Sequence, residues 1–290
     1  MMNEIGIPII DELKLCYEAD MTLLDELEAI DYGQSIELGE YSFYRTTSHH
    51  FKYAYDVVVE DGCTSEKVAT ARFGRYGEES VSSYFFYRVE NHVLYDNGKL
   101  DYALAIPEEL GLSFHNFTSL DIAIDSKIDV ARLIKRMWHR ADVTTIINGK
   151  AVRDRKAVLK PLRLVYSTSL DRLKGLTVYV KQSKAIRNKT KGITVQAYNK
   201  KQEIAESSHK DYINEFYGNP KRLYRLEVHL NNEEIKAYCR LLNIQQDLSI
   251  LKDRSLLTNM FYYHLSSVIR FTKGRKKLPW KAIIDCNGRL

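Results

Sequence analysis

Polar and apolar side chains alternate along three short stretches of the chain in the way that β-strands require. The stretches are SLDIAID (119–125), GITVQAY (192–198) and YRLEVHL (224–230). The residues on their polar sides that could do chemistry are Asp121, Asp125, Tyr198, Glu227 and His229. Since successive strand side chains point to opposite faces, each stretch has one apolar face for covering helices and one polar face. If the three strands share a sheet, these five side chains collect on one side of it.

Such a cluster of acids predicts a bound cation. Carboxylates that lie a few ångströms apart raise each other's pKa unless a positive charge is placed between them. Oxygen ligands with at most one imidazole suit Mg²⁺ or Mn²⁺. The alternative interpretation of the same pattern is an ordinary half-exposed sheet whose polar residues face solvent.

Tyr198 is the candidate nucleophile in this cluster. It ends its stretch and is followed directly by Asn199, Lys200 and Lys201. A phenol with a pKa near 10 is a weak nucleophile at neutral pH, so it needs help to react. Nearby lysines and a metal ion would favour the phenolate and receive a phosphate group. The position therefore favours Tyr198 over the other tyrosines among the twenty in the chain.

The charge of the chain is unevenly distributed. Residues 1–40 carry eleven Asp/Glu against Lys14 alone, whereas residues 132–201 carry nineteen Lys/Arg against three Asp. No acid lies between Leu173 and Lys201. A basic field of this density favours a polyanion, because neutralising phosphates releases condensed counterions. A basic stretch can also be an ordinary solvated face. If this one binds nucleic acid, the predicted DNA contacts are Lys181, Lys184, Arg187, Lys189, Lys191 and Lys201.

The elements that position these residues predict an α+β protein. Stretches rich in Tyr, Phe and Val with Gly turns between residues 41 and 97 predict antiparallel strands and hairpins. Helices are predicted over 129–140, capped by Asp129, over 200–217, after Asn231, and over SLLTNMFYYHLSSVIRF. The expected fold is a largely antiparallel central sheet with helices on one face.

The sequence also suggests a division into three segments. Residues 1–40 are expected to be an acidic helical segment, because Leu23, Leu24, Leu27 and Ile30 have helical spacing. Residues 41–245 would form the catalytic domain, and residues 246–290 a C-terminal helix and basic tail packed on it. Few prolines and the lack of a Pro/Gly/Ser-rich linker favour one compact unit.

Composition narrows the class of protein. The 44% hydrophobic content supports a core, and no run of residues is apolar enough to span a membrane. The acidic start of the sequence does not look like a secretory signal, and four widely separated cysteines lack metal-knuckle spacing. The expectation is a cytoplasmic protein with reduced thiols and no zinc site.

Three blocks of the sequence resemble the Rep_trans type of tyrosine-dependent replication initiator from rolling-circle plasmids. FTSLDIAID (117–125) is similar to the family strand F-T-R-L-D-[LI]-A-x-D, and VQAYNKKQE (195–203) to its Y-N-K-K-x-E segment. LYRLEVHL (223–230) resembles the strand R-x-E-[IVL]-x-L that follows. Order and spacing agree over roughly residues 90–245.

The resemblance implies a role for individual residues. Tyr198 would be the nucleophile that links to DNA, and Lys200 the catalytic lysine that follows it. Asp121 and Glu227 match acidic positions that hold the divalent ion, with Asp125 as a third ligand. The implied function is a metal-dependent nick at a double-strand origin, which leaves a 5′-phosphotyrosyl bond and a 3′-OH primer. The implied partners are origin DNA, a host helicase and a second copy of the chain.

The sequence departs from the family pattern at two places. Ser119 stands where the family has arginine, and Lys181 and Ser183 replace a glycine and an arginine of the family hairpin. These departures put phosphate contacts in doubt but leave the nucleophile unaffected. No His-hydrophobic-His metal motif is present, and the adjacent His49 and His50 are expected at the surface.

Two other functions fit the same residues. A mobilisation relaxase or phage initiator would share the chemistry and use another tyrosine, for which the helical pair Tyr262–Tyr263 is the candidate. Its spacing in MFYYHL favours core packing instead. A DNA-binding regulator that kept the fold without the chemistry is the non-enzymatic alternative.

Overall fold

The structure is a computed structural model that describes residues 5–61, 64–77, 82–152, 162–166, 173–179 and 192–285. The chain forms two compact units, one of residues Ile10–Leu120 and the other of Met1–Ile9 with Asp121–Leu290. The sequence instead suggests boundaries at residues 40 and 245. No helix in the described ranges is long and apolar enough to cross a membrane.

The unit Ile10–Leu120 is an antiparallel sheet with helices against it. Its strands are β1 (Pro8–Glu18), β2 (Ser35–Leu38), β3 (Tyr41–Thr46), β4 (Phe51–Asp61), β5 (Thr64–Arg75), β6 (Tyr84–Val89) and the start of β7 (Ser113–Ser126). Their order is β7-β1-β6-β5-β4-β3-β2. The helices are α1 (Met21–Glu28), a 3₁₀ turn (Val93–Tyr95) and α2 (Asn97–Glu109). The strands and hairpins predicted between residues 41 and 97 are confirmed.

The prediction of a helical segment over residues 1–40 is wrong for its first half. Residues Pro8–Glu18 form a strand, in which Leu13, Leu15 and Tyr17 are buried. Their spacing of two is the strand period, and it outweighs the helical tendency of the acidic residues Asp11, Glu12 and Glu18 on either side of them. The helix predicted in MTLLDELEAI is present as α1, and Asp20 caps it by accepting from the Thr22 N–H.

The second unit contains the three alternating stretches. Its larger sheet has the order β10-β11-β12-β13-β7 and includes β10 (Leu162–Tyr166), β11 (Leu173–Tyr179), β12 (Ile193–Tyr198) and β13 (Tyr224–Asn231). A smaller sheet of order β15-β14-β8-β9 contains β8 (Thr144–Ile147), β9 (Lys150–Ala151), β14 (Ile269–Lys273) and β15 (Lys276–Leu278). The neighbouring strands β10–β11, β11–β12 and β12–β13 of the larger sheet, and β15–β14, β14–β8 and β8–β9 of the smaller one, pair antiparallel. The expected α+β class with a large antiparallel sheet is confirmed.

The second unit also contains several helices. They are α3 (Val130–His139), α4 (Lys200–Glu203), α5 (Asp211–Phe216), α6 (Asn232–Leu242), α7 (Ser249–Lys252), α8 (Arg254–Val268) and α9 (Trp280–Asp285), with a π-helical turn at Ile204–Ser208. Helices α3 and α8 contact both β12 and β13. Val195, Leu226 and Val228 are wholly buried, so the apolar side of the alternation forms the core.

The caps predicted for two helices are present. The Asp129 side chain accepts from the Arg132 N–H at the start of α3, and Asn231 accepts from the Glu234 N–H at the start of α6. Helix α8 ends at Val268, three residues before the predicted end, because Ile269 begins β14. The polar helix predicted over 200–217 is divided into α4, the π-helical turn and α5, and His209 adopts a left-handed conformation where the turn ends.

His264 of α8 is a buried histidine whose protonation we expect to limit stability in acid. Its ring packs beside Tyr238 and Tyr263, and in the described part of the chain neither ring nitrogen has a hydrogen-bond partner. Burial lowers the pKa of His264 from 6.5 to about 4. Below pH 6.5 His264 therefore binds a proton in the unfolded chain but not in the folded chain. The folded state loses stability as the pH falls towards 4.

Replacing His264 by phenylalanine should remove this loss. We expect the free energy of unfolding of the wild type to fall by about 2–3 kcal/mol more than that of His264→Phe between pH 7 and pH 4. Urea denaturation of both proteins at a series of pH values measures the difference. Parallel pH profiles would contradict the assignment.

Candidate active site

The pairing of β12 with β13 brings the candidate nucleophile to an acid. In this register Tyr198 lies opposite Arg225, and Gln196 lies opposite Glu227. The Tyr198 phenol crosses diagonally to the next polar position and donates a hydrogen bond of 3.0 Å to Glu227 Oε2. The structure therefore places two of the predicted site residues in direct contact.

The second predicted acid lies beside a histidine. Asp121 of β7 is 2.5 Å from His229 Nδ1, measured at its Oδ1 atom. His229 shares the polar face of β13 with Glu227, because the two residues are two positions apart. Asp121, Glu227 and His229 are thus on the same side of adjacent strands. Both acids and the histidine come from the stretches in which the sequence predicted them.

Asp125 has a different environment. Its two carboxylate oxygens accept hydrogen bonds of 2.8 and 2.6 Å from Nε and Nη2 of Arg225, and both side chains are fully buried. A carboxylate engaged on both oxygens by a guanidinium is satisfied without a metal ion. The role of Asp125 as a third metal ligand stays a prediction, and this ion pair disfavours it.

The polar face of these strands is more enclosed than the sequence suggests. Glu227 is only 8% exposed, while Asp125 and Arg225 are completely buried. Alternation in a sequence shows which side chains share a face but not whether that face is covered. Buried polar groups need partners, and the ion pair of Asp125 with Arg225 and the hydrogen bond from Tyr198 to Glu227 provide them.

Lys200 lies against the face of the candidate nucleophile. Its Nζ is 5.7 Å from the centre of the Tyr198 ring and 2.9 Å from Glu203 Oε2. The side chain is almost fully buried. Asn199 begins α4 by accepting from the Gln202 N–H, which fixes the turn from Tyr198 to Lys200. Lys200 is therefore in cation–π contact with the Tyr198 ring while its charge is paired with Glu203.

Most of the predicted DNA contacts cannot be compared with the structure. Lys181, Lys184, Arg187, Lys189 and Lys191 lie outside the described residues. Lys201 is described, and its Nζ donates a hydrogen bond of 2.8 Å to the Pro220 carbonyl. Its role in DNA binding stays a prediction.

The donor set at this site fits a divalent ion. Asp121 and Glu227 offer carboxylate oxygens and His229 offers an imidazole nitrogen, all from one face of two strands. Carboxylates with a single histidine suit Mn²⁺, and the oxygen ligands also suit Mg²⁺. Asp121 and His229 have ligand atoms close enough to share such an ion, with His229 as a ligand or as the partner that orients Asp121. Among the described residues Glu227 does not form a three-ligand group with them, so its role as a metal ligand stays a prediction.

A groove opens beside Tyr198. Its volume is about 400 Å³, and strands β11 and β12 form its floor while α4 and the π-helical turn form its wall. Gly175 lies opposite Tyr198 in the register. A Cβ atom at Gly175 would lie 3.1 Å from the Ala197 carbonyl oxygen and 3.3 Å from Tyr198 Cβ. Because Gly175 has no side chain, it leaves the space that Tyr198 occupies.

Adding one methyl group at Gly175 should disturb the nucleophile without unfolding the protein. In Gly175→Ala the new Cβ forces Tyr198 to shift by a few tenths of an ångström, and we expect nicking to slow by about tenfold to a hundredfold. Single-turnover nicking kinetics measure this rate. Gly192→Ala is a matched control, since its Cβ would meet the side chain of Glu234 rather than Tyr198. Equal rates for the two variants would contradict the role of Gly175.

Sequence reasoning missed the roles of Arg225 and Gly175. Arg225 lies on the polar face of β13 by simple alternation, so its position relative to Asp125 was a detectable signal. Gly175 carries no such signal, because its importance depends on the register between β11 and β12. Neither residue follows from a motif.

The alternative tyrosines occupy a different environment. Tyr263 is 48% exposed and its ring contacts Tyr238, so the prediction that this pair packs in the core is wrong for Tyr263. Tyr262 is half-buried, and burial raises its pKa above the usual value. Both belong to α8, which covers the apolar face of β12 and β13. As predicted, His49 and His50 are exposed.

Comparison with known proteins bears on the fold. No protein-family model matches the chain, and no curated protein matches its sequence. Among solved structures, it is similar to a rolling-circle replication initiator protein from Geobacillus stearothermophilus, with a TM-score of 0.50 and 13% sequence identity. The similarity covers 95% of this chain and 93% of that one. The chain therefore has the fold of a solved rolling-circle replication initiator over nearly its whole length.

Proposed function

We propose that this chain is a rolling-circle replication initiator that nicks DNA through Tyr198. The observation that supports this function most strongly is the 3.0 Å hydrogen bond from the Tyr198 phenol to Glu227, beside Lys200 and on the same face as Asp121. The similarity in fold to a solved initiator is consistent with it. Together they favour transfer of a DNA strand to a tyrosine.

The charge of the chain supports a nucleic acid as substrate. The unit that holds Tyr198 contains 35 Lys/Arg against 17 Asp/Glu, whereas residues 10–120 contain 8 against 21. The formal charges are therefore +18 and −13. A strongly positive field around the reacting tyrosine attracts the phosphate backbone and releases its counterions.

The proposed reaction exchanges the scissile phosphodiester of DNA for a phosphodiester to Tyr198. As the Tyr198 oxygen attacks the scissile phosphorus, Glu227 Oε2 takes the phenol proton. A new bond forms between that oxygen and the phosphorus, and the bond from the phosphorus to the 3′ oxygen breaks. The 3′ oxygen leaves and takes up a proton from solvent water, which gives a 3′-OH end and a 5′-phosphotyrosyl bond. Reversal of these steps rejoins the strand without an external energy source.

Each residue around the Tyr198 phenol has its own role in the proposed reaction. Glu227 orients the phenol and accepts its proton, and Lys200 stabilises the negative charge that develops on the ring. His229 holds Asp121 in place. A divalent ion bound by Asp121 and Glu227 would polarise a phosphoryl oxygen of the substrate and lower the barrier. Asp125 and Arg225 keep the two strands in register from within the core.

The function is tested with supercoiled DNA of the replicon that encodes the chain. We expect open-circle product that carries covalently bound protein when Mn²⁺ is supplied, and no product with a chelator. An absence of cleavage under every metal and salt condition would favour a DNA-binding regulator of the same fold. A host helicase and a second copy of the chain stay predicted partners.

Removing a carboxylate from the metal site should change the metal requirement. In Asp121→Asn we expect the Mn²⁺ concentration for half-maximal nicking to rise about tenfold to a hundredfold, because a neutral amide is a poorer ligand. Titration of Mn²⁺ against the nicking rate measures the shift. Glu26→Gln, which neutralises an exposed acid of α1, is the control. An unchanged Mn²⁺ profile for Asp121→Asn would remove Asp121 from the metal site.

A further inference from the structure

The groove beside Tyr198 is lined by apolar surface together with several polar side chains, none of them cationic. Its described lining includes the amides of Gln196 and Gln202, the carboxylates of Glu203 and Glu206, and the hydroxyl of Ser207. No lysine or arginine belongs to that lining. The carboxylates repel a phosphate group, so the groove is unsuited to the DNA backbone. Its volume of about 400 Å³ suits a small organic group with hydrogen-bonding edges.

The two carboxylates differ in how they are engaged. Glu203 forms an ion pair with the buried Lys200, which compensates its charge. Glu206 is exposed and accepts a hydrogen bond of 2.6 Å from Gln202 Nε2. A carboxylate has two oxygens and can accept several hydrogen bonds. Glu206 therefore retains capacity to accept from a ligand that enters the groove.

The wall of the groove has an irregular backbone. Ile204–Ser208 form a π-helical turn between α4 and α5, and His209 ends it in a left-handed conformation. Such turns widen a helix and redirect its side chains, and they are frequent at functional sites. Here the turn contributes Glu206 and Ser207 to the lining of the groove.

We infer that this groove receives one unpaired nucleobase next to the scissile phosphate and selects a base with N–H donors on its Watson–Crick edge. This inference rests on the proposed nicking function. A base extruded from a duplex or in a single strand is read by hydrogen bonds to that edge. Guanine presents two adjacent N–H donors to a carboxylate, whereas thymine presents a single imino donor between two carbonyl oxygens. Glu206 is the specificity-determining acceptor, and guanine is the preferred base.

The test is selection of single-stranded DNA by the full chain without cleavage. A library of random 12-nucleotide strands is bound to the Tyr198→Phe protein, and the bound strands are sequenced. We expect guanine to be enriched over thymine about tenfold at one position, as for a good base contact. Adding Glu206→Gln should abolish this enrichment, because an amide donates as well as accepts. Glu215→Gln, an exposed acid of α5 outside the groove, should retain it.

A second measurement separates the contact from general effects on binding. Replacing the selected guanine by inosine removes one N–H donor and should weaken binding several-fold with Glu206 present but not with Glu206→Gln. Equal base preferences in the Glu206→Gln and Glu215→Gln proteins, or no preference at any position, would overturn the inference. Nicking of the selected strands by the wild type with Mn²⁺ is assayed separately, so loss of that activity counts against the proposed function alone.

Discussion

Tyr198→Phe should abolish nicking and leave DNA binding nearly intact. The change removes only the oxygen that attacks phosphorus and donates to Glu227, while the ring keeps its place beside Lys200. Loss of a nucleophile removes the covalent route entirely, so we expect the nicking rate to fall by more than about a thousandfold. Conversion of supercoiled to open-circle DNA measures the rate, and gel retardation measures the binding.

Tyr263→Phe is the matched control for this experiment. It makes the same chemical change on an exposed tyrosine of α8 and should nick DNA as the wild type does. If Tyr198→Phe remained fully active and Tyr263→Phe lost activity, the mobilisation-relaxase interpretation with a helical tyrosine would replace the present one.

Asp125→Asn should cause the largest loss of stability among single changes at the site. The substitution leaves the Arg225 guanidinium buried without a compensating negative charge. Removing one partner of a buried ion pair costs about 3–5 kcal/mol. Urea denaturation of the wild type and the variant measures the difference in the free energy of unfolding.

Two further variants test whether the expected loss of stability is due to burial of the ion pair. Asp56 forms an ion pair with Lys67 in which both side chains are more than a third exposed. Asp56→Asn breaks this pair and should lower the free energy of unfolding by less than about 1 kcal/mol. The double variant Asp125→Leu/Arg225→Met replaces both charges by apolar groups and should regain much of the stability lost in Asp125→Asn. A loss below about 1 kcal/mol in Asp125→Asn would show that the pair is not a buried stabilising contact.

The double variant also decides the role of Asp125. If Asp125 only holds β7 against β13, the folded double variant should retain Mn²⁺-dependent nicking with an unchanged Mn²⁺ requirement. A raised requirement in that protein would make Asp125 a metal ligand after all.

Local patterns were sufficient to predict much of the second unit. The alternation in SLDIAID, GITVQAY and YRLEVHL identified β7, β12 and β13. Apolar and polar residues that alternate with a period of two are typical of a strand with one buried face. The Asp129 and Asn231 caps marked the starts of α3 and α6. The assignment of Tyr198 to the end of its strand followed from the same pattern.

Other features depend on contacts that are distant in the sequence. The strand Pro8–Glu18 is separated by about seventy residues from its partner β6, so acidic composition alone misled the prediction. The enclosure of Glu227 and the pairing of Asp125 with Arg225 depend on what covers a face and on how two strands align. The groove requires three segments to meet, and its opening depends on Gly175, a residue without a side chain.

The central claim is that DNA becomes attached to Tyr198. It is tested most directly by nicking supercoiled DNA with the wild type, digesting the adduct with trypsin and nuclease, and sequencing the nucleotide-bearing peptide by mass spectrometry. We predict that the modified peptide is residues 192–200, with the phosphate on Tyr198. A nucleotide on another tyrosine such as Tyr262 or Tyr263, or nicked DNA that carries no protein, would contradict this account.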